Sequence, residues 1–232
     1  MRKAPTLWPR LIQLLLVLAV PVVLLVADLR IVTGHWFVQW EYGKAGFPPD
    51  PFGLTVAERT HLAEVSVDYL ATGADISLLG DLQLPDGQTA FNARELRHMA
   101  DVQAVYGGMV TAGNVAALVL LAGIALLLAS SHTRWRAPIA LLRGSLLTLG
   151  LLAAVGATML LSWGEFFTTF HRLFFEGETW IFPYTDTLIR LFPIRFWMDV
   201  GATIVGLMVI EALTLTVLGW TWTRRLRSSG ET

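Results

Sequence analysis

The chain of 232 residues has no cysteine. That excludes disulfides, a thiol nucleophile and attachment of a lipid to a cysteine of its own. Charge is scarce as well: 15% of residues are charged against 54% hydrophobic, a balance foreign to a water-soluble chain of this length. The 17 Lys and Arg nearly cancel the 18 Asp and Glu, for a net charge of -1. No basic excess supports nucleic-acid binding, and the net figure averages basic and acidic segments that lie far apart in the sequence.

In place of charge the chain has four uninterrupted apolar runs, at about 11–31, 108–130, 140–163 and 198–222. Each is close to the roughly 20 residues a helix needs to cross a bilayer. The fold class they predict is an all-α membrane protein with four transmembrane helices, an outward-facing helical cap and an interfacial aromatic hairpin. The first run begins with Arg2, Lys3 and Arg10 but is longer than a signal-peptide core and has no small-x-small end, so it reads as an anchor.

Basic residues flanking the runs orient them. Arg2, Lys3 and Arg10, then Arg134, Arg136 and Arg143, then Arg224, Arg225 and Arg227 all fall on one side if there are four spans. Residues 35–107, on the opposite side, hold ten Asp and Glu against four Lys and Arg. The expected organisation follows: N-terminal tail and first span (1–31), extracytoplasmic helical segment (32–107), second span (108–130), basic cytoplasmic loop (131–139), third span (140–163), extracytoplasmic aromatic loop (164–197), fourth span (198–222) and cytoplasmic tail (223–232). Both termini are expected in the cytoplasm.

The outer segments carry start signals of their own. After the breaker-rich GFPPDPFG at residues 46–53, Thr55 and Glu58 have capping-box spacing ahead of a helical run to about Leu70. Asn92 and Glu95 repeat the signal, and the helix they start runs toward the second span with Leu96, Met99, Val102 and Tyr106 as its packed stripe. On its adjoining face Glu95, His98 and Asp101 follow at i, i+3 steps, which gives His98 two carboxylates within local reach. Residues 166–197 are dense in aromatics suited to the headgroup level. Asp186 is the expected cap of a short helix, 187–191, and His171 lies just past the outer end of the third span, near the boundary that also holds His98.

The strings FNARELRHMADV, from Phe91, and FHRLFFEGETWIFPYTDTLIRLFPIRFW, from Phe170, resemble the two signature segments of the lipoprotein intramolecular transacylase (Lit) family. The four-span plan resembles that family along nearly the whole chain. The resemblance implies transfer of the sn-2 acyl chain of a diacylglyceryl-modified lipoprotein to the α-amino group of its N-terminal cysteine, giving the lyso form, with membrane lipids around it and no cofactor. His98 and His171 match the family's histidine positions and would share acid–base work, which histidine performs near neutral pH. Which of them is the base stays open. Glu95 or Asp101 would orient the His98 ring, and Phe174, Phe175, Trp180 and Phe182 would line an acyl-chain groove.

Other readings stand beside this one. His98 could solvate a helix end or pair with Asp101, and His171 and the aromatics could belong to a headgroup-level belt. His35, His61 and His132 read as surface residues. Glu95-x-x-His98 with His171 and Asp186 could also hold a metal in a membrane hydrolase, and a non-enzymatic sensor is the third class. Glu211, about 20 Å into the last span, is expected to meet a structural partner such as Gln13, Arg143 or Thr148. Asp28, Arg30 and Asp199 could pair with one another or hold a substrate headgroup. No feature sets an oligomeric state.

Overall fold

A computed structural model of the chain describes residues 7–228. Arg2, Lys3 and the last four residues of the C-terminal tail lie outside them. The described chain is helical: α1 (Trp8–Val32), α2 (His35–Tyr42), α3 (Val56–Thr72), α4 (Ser77–Gly80), α5 (Ala93–Leu128), α6 (Arg136–Leu161), α7 (Trp163–Phe174), α8 (Thr187–Leu191) and α9 (Ile194–Ser228). Among the described residues its one β feature is an isolated bridge between Gln83 and Thr89. Helices α1, α5, α6 and α9 are long and apolar enough to cross a membrane. At 36 residues, α5 is about 54 Å long, well beyond a hydrocarbon core of about 30 Å. Its apolar run starts at Gly108, so the helix extends several turns beyond that run.

Two compact units divide the chain. The first comprises residues 7–28, 110–157 and 205–228 of the described chain, a bundle of helix segments. Small residues bring its helices close, as expected where lipid tails compete with side chains for apolar contact. A Cβ on Gly123 would lie 2.6 Å from Leu16, one on Gly144 2.7 Å from Val20, and one on Gly219 2.9 Å from the Pro138 carbonyl oxygen. Polar bonds cross the bundle from Arg136 to the Gln13 side-chain oxygen (2.8 Å) and between the Ser145 and Thr216 hydroxyls (2.8 Å). Leu118, Leu121 and Val217 are exposed, as lipid-facing side chains would be.

Of the partners expected for Glu211, Gln13 accepts from Arg136 and Thr148 donates to the Gly144 carbonyl. The charged group that acts on Asp28 is Glu211 itself. Asp28 is fully buried, neither of its oxygens has a hydrogen bond, and Glu211 Oε2 is likewise unpaired.

The second unit comprises residues 29–109 and 158–204. Its core is built on Phe37, Val38, Leu62, Ala63, Tyr69, Leu79, Phe91, Leu188 and Leu191. Thr55 and Glu58 form the capping box that starts α3, and Gly73 in the left-handed region ends it. Buried polar groups tie loop to helix. Arg59 donates to the carbonyls of Pro48 (2.8 Å) and Arg190 (2.6 Å), and Asp50 forms a two-pronged ion pair with Arg190, 3.0 Å on each side, while accepting the Leu54 amide. Tyr42 donates to the Leu191 carbonyl at 2.8 Å. Asp199 pairs with Lys44 and Arg195.

Candidate active site

The start of α5 sets the position of His98. Asn92 Oδ1 accepts the amides of Arg94 (3.0 Å) and Glu95 (3.1 Å), and the Glu95 carboxylate reaches back to the Asn92 amide (2.8 Å). This is a capping box with asparagine in the leading position, and it puts His98 one turn into the helix. Glu95, 1% exposed, uses its other oxygen to accept the Leu188 amide at 2.8 Å, at the start of α8. One carboxylate therefore closes two helix ends. Asp186 occupies the cap position of α8 but makes no side-chain cap bond; it takes the Arg94 guanidinium at 2.6 Å instead. The long-range carboxylate does the capping that spacing assigned to the local one.

His171 is carried by a helix, where the sequence suggested the start of a hairpin loop. Ser162 accepts the Glu165 amide and opens α7 directly after α6, and His171 lies in its last turn. The signal was legible, because Ser162-x-x-Glu165 is itself a helix-start pattern. Within α7, Nδ1 of His171 lies 2.7 Å from the Phe167 carbonyl oxygen. A carbonyl only accepts, so this contact makes Nδ1 the protonated nitrogen and leaves a lone pair on Nε2.

The two imidazoles come together. Their ring centroids are 6.4 Å apart with planes 20° from parallel. Phe175 (4.9 Å) and Phe182 (5.3 Å) meet His98 edge-on, while Phe167 (4.1 Å), Trp180 (4.8 Å) and Phe175 (5.6 Å) pack on His171. Phe174 stands apart: it packs at a tilt on Phe170, and among the described residues no ring contact joins it to either histidine.

Burial governs the electrostatics. His98 is 9% exposed, its Nδ1 has no hydrogen-bond partner, and burial, reinforced by the neighbouring His171, pushes its pKa down to about 4. Burial lowers His171 also, against the bond to Phe167. Both rings are therefore neutral near pH 7. Burial raises the Glu95 carboxyl, opposed by its two amide donors.

The expected carboxylate support for His98 takes another form. Glu95 is filled by backbone amides, and Asp101 is exposed and acts on His98 through its charge, with no hydrogen bond to the ring. The metal set does not assemble either. Glu95 and Asp186 are spent on Leu188 and Arg94, and no cluster of three His, Asp or Glu with metal-binding geometry occurs among the described residues. Sequence reasoning missed Arg94, which joins Asp186 to α5 and lies 5.5 Å from the Phe182 ring centroid.

Comparison with known proteins agrees with this architecture. A relative from Aquifex aeolicus (strain VF5), described as an uncharacterized protein, is 31% identical over 190 residues, 82% of this chain and 84% of that one. The solved structure of the membrane integral lipoprotein intramolecular transacylase Lit from Bacillus cereus matches with a TM-score of 0.76 at 21% identity, over 96% of this chain and 97% of that one. A variant of the same protein with one histidine changed to alanine matches with a TM-score of 0.76 at 22% identity, over 95% and 96%. At that identity the likeness is one of fold. The family model for the lipoprotein intramolecular transacylase Lit matches residues 13–197. That stretch takes in both histidine-bearing segments and most of the chain, so this multi-pass membrane protein belongs to the lipoprotein intramolecular transacylase Lit family and is a transacylase.

Proposed function

We propose that the enzyme moves the sn-2 O-acyl chain of a diacylglyceryl-cysteine lipoprotein to that lipoprotein's own α-amino group, with His171 as base and His98 as its neutral partner. The observation that carries this reading is the pair of facing imidazoles enclosed by Phe175, Phe182 and Trp180.

The amine nitrogen attacks the ester carbonyl carbon, a C–N bond forms, and the carbonyl electrons move onto oxygen. His171 Nε2 takes the proton the amine loses. Collapse of the adduct breaks the bond to the glyceryl oxygen, which leaves as an alkoxide and takes a proton back from the imidazolium, directly or through His98. Atoms and charge balance with no enzyme nucleophile, because the substrate supplies both amine and ester. The protein's part is to hold them together, the term that effective molarities measure. A water-poor aromatic enclosure keeps both bases uncharged and limits hydrolysis of the ester.

Glu95, Asp186 and Arg94 serve this site by fixing α8 and the hairpin to α5. Phe175, Trp180 and Phe182 bound the acyl chain near the reacting carbonyl. Phe174, packed on Phe170, contributes to the outer part of the groove. The three basic clusters support a cytoplasmic location for both termini, and with it an outer-leaflet site that lipid-anchored substrates enter from the side. Expression in cells lacking other N-acylating enzymes, followed by mass spectrometry of a model lipoprotein, tests the reading. The expected N-terminus is N-acyl with monoacylglyceryl. An unchanged diacylglyceryl N-terminus refutes it.

A further inference from the structure

We infer that the indole N–H of Trp180 is a hydrogen-bond donor to the ester carbonyl oxygen as it becomes the oxyanion. This rests on the acyl-transfer reading above and adds a catalytic group to it. Trp180 Nε1 is buried and has no hydrogen-bond partner, although indole N–H can only donate and buried donors are almost always paired. Its ring packs on His171 at 4.8 Å between centroids, tilted by 34°. Among the described residues the protein supplies no acceptor for it; an acyl substrate beside His171 brings one.

The charge that develops in the reaction is stabilised by such a group. When the amine attacks, negative charge develops on the carbonyl oxygen. His171 is then occupied with the amine proton, and His98 is uncharged. A donor already in place and out of water stabilises that charge without reorganisation. Donation costs Trp180 no proton, and the charge leaves again when the bond to the glyceryl oxygen breaks.

The test is replacement of Trp180 by 3-benzothienylalanine, which keeps the ring shape and exchanges N–H for sulfur. Trp163 is the control, since its Nε1 is also buried and unpaired but its ring packs on Phe166 and Phe167. With a labelled diacylglyceryl peptide in micelles, the analogue at 180 is expected to lower kcat about 100-fold or more with KM within about twofold. The analogue at 163 leaves both unchanged. Trp180→Phe, checked for folding by thermal unfolding, should lose kcat to a similar degree. A rate within about twofold of wild type for the analogue at 180, or equal losses at 163 and 180, overturns the donor role. A wild-type protein that yields no N-acyl product overturns the acyl-transfer reading along with it.

A different observation carries a second proposal, independent of the first. In the bundle unit, Trp135, Ile139, Thr223, Leu226 and Arg227 line a cavity of about 250 Å³, room for about eight water-sized groups. Among the described residues the charged side chains near this cavity are arginines. No Asp or Glu occurs between Val102 and Gly164, while Arg136 stacks over Trp135 at 4.4 Å and Arg224 over Trp220 at 3.9 Å. Arg227 has no ion pair among the described residues. The geometry points to an anionic phospholipid from the leaflet at this end of the bundle, its phosphodiester on Arg227 and Thr223 and its chain along Ile139 and Leu226, as basic pockets between spans hold such lipids.

Native mass spectrometry of the purified enzyme, with phosphatidylglycerol, phosphatidylcholine or free glycerol 3-phosphate added, reads this directly. One phosphatidylglycerol is expected to be retained, with Arg227→Gln weakening retention about fivefold and Arg10→Gln within about twofold of wild type. Equal losses in the two variants, no preference over phosphatidylcholine, or equal retention of free glycerol 3-phosphate overturns the site.

Discussion

Replacing Glu95 tests whether this carboxylate holds the site together or serves the His98 ring. It accepts the part-buried Asn92 amide and the buried Leu188 amide, each at 2.8 Å. Glu95→Ala leaves both donors unpaired. At roughly 1–3 kcal/mol for the buried Leu188 amide and about 0.5–1.5 kcal/mol for the Asn92 amide, which water can reach, the expected loss is about 1.5–4.5 kcal/mol of stability. Glu95→Gln keeps one acceptor oxygen and turns an amide NH₂ toward the other donor, so it should lose about 1–3 kcal/mol. For a chain of this size that is about 2–4 °C in Tm per kcal/mol.

A pH signature follows. Burial makes the folded carboxyl harder to ionise than the unfolded one near 4.5. Its contribution to stability is therefore greatest below 4.5 and declines as pH rises through the folded value, and Glu95→Gln should remove that decline. Thermal unfolding in detergent between pH 4 and 8, alongside the pH dependence of kcat, reads both. The clamp role predicts lower Tm, lower kcat through a shifted hairpin, and an unmoved pH–rate profile. A glutamine variant with wild-type Tm and a displaced pH–rate profile would refute the clamp and restore Glu95 as the partner of His98.

Three further outcomes are expected. Arg190→Ala strands Asp50 as a buried, uncompensated charge and should cost about 3–5 kcal/mol in chemical or thermal unfolding. Burial disfavours the Asp50 anion, but Arg190 and the Leu54 and Phe52 amides more than offset it and hold the carboxyl below 3.8, so its stabilisation is present above that pH and lost as pH falls through the folded value. Gly123→Ala drives a methyl to within 2.6 Å of Leu16 and should lower Tm by the equivalent of about 1–3 kcal/mol, while Gly108→Ala, with open space around it, should not. Because burial lowers both histidines, the acid limb of the kcat profile should lie below the usual imidazole value of 6.5, as single-turnover rates across pH will show.

Much of this architecture was legible in the residues because it is local. Hydropathy alone marks α1, α5, α6 and α9, and cap spacing locates the starts of α3 at Thr55 and α5 at Asn92. His98 and His171 came from resemblance to a family, and their facing rings are now seen in one unit. What spacing could not supply is pairing across the chain. Asp186 looked like the cap of α8 because it precedes the helix, yet Glu95, distant in sequence, takes the Leu188 amide. Asp28 and Glu211 belong to different helices, so nothing along the sequence foretold that their charges act on one another. Helix α7 was hidden for another reason: its aromatic richness suggested an interfacial loop and masked the Ser162 start signal.

The most direct test of the central claim is mass spectrometry of a peptide lipidated with an isotope-labelled sn-2 acyl chain, incubated with wild type, His98→Ala and His171→Ala, all shown to be folded. The account predicts that the label moves to the α-amino group of the same peptide molecule in wild type and stays on glycerol in both variants. Label on the amine at wild-type rate in either variant would contradict it.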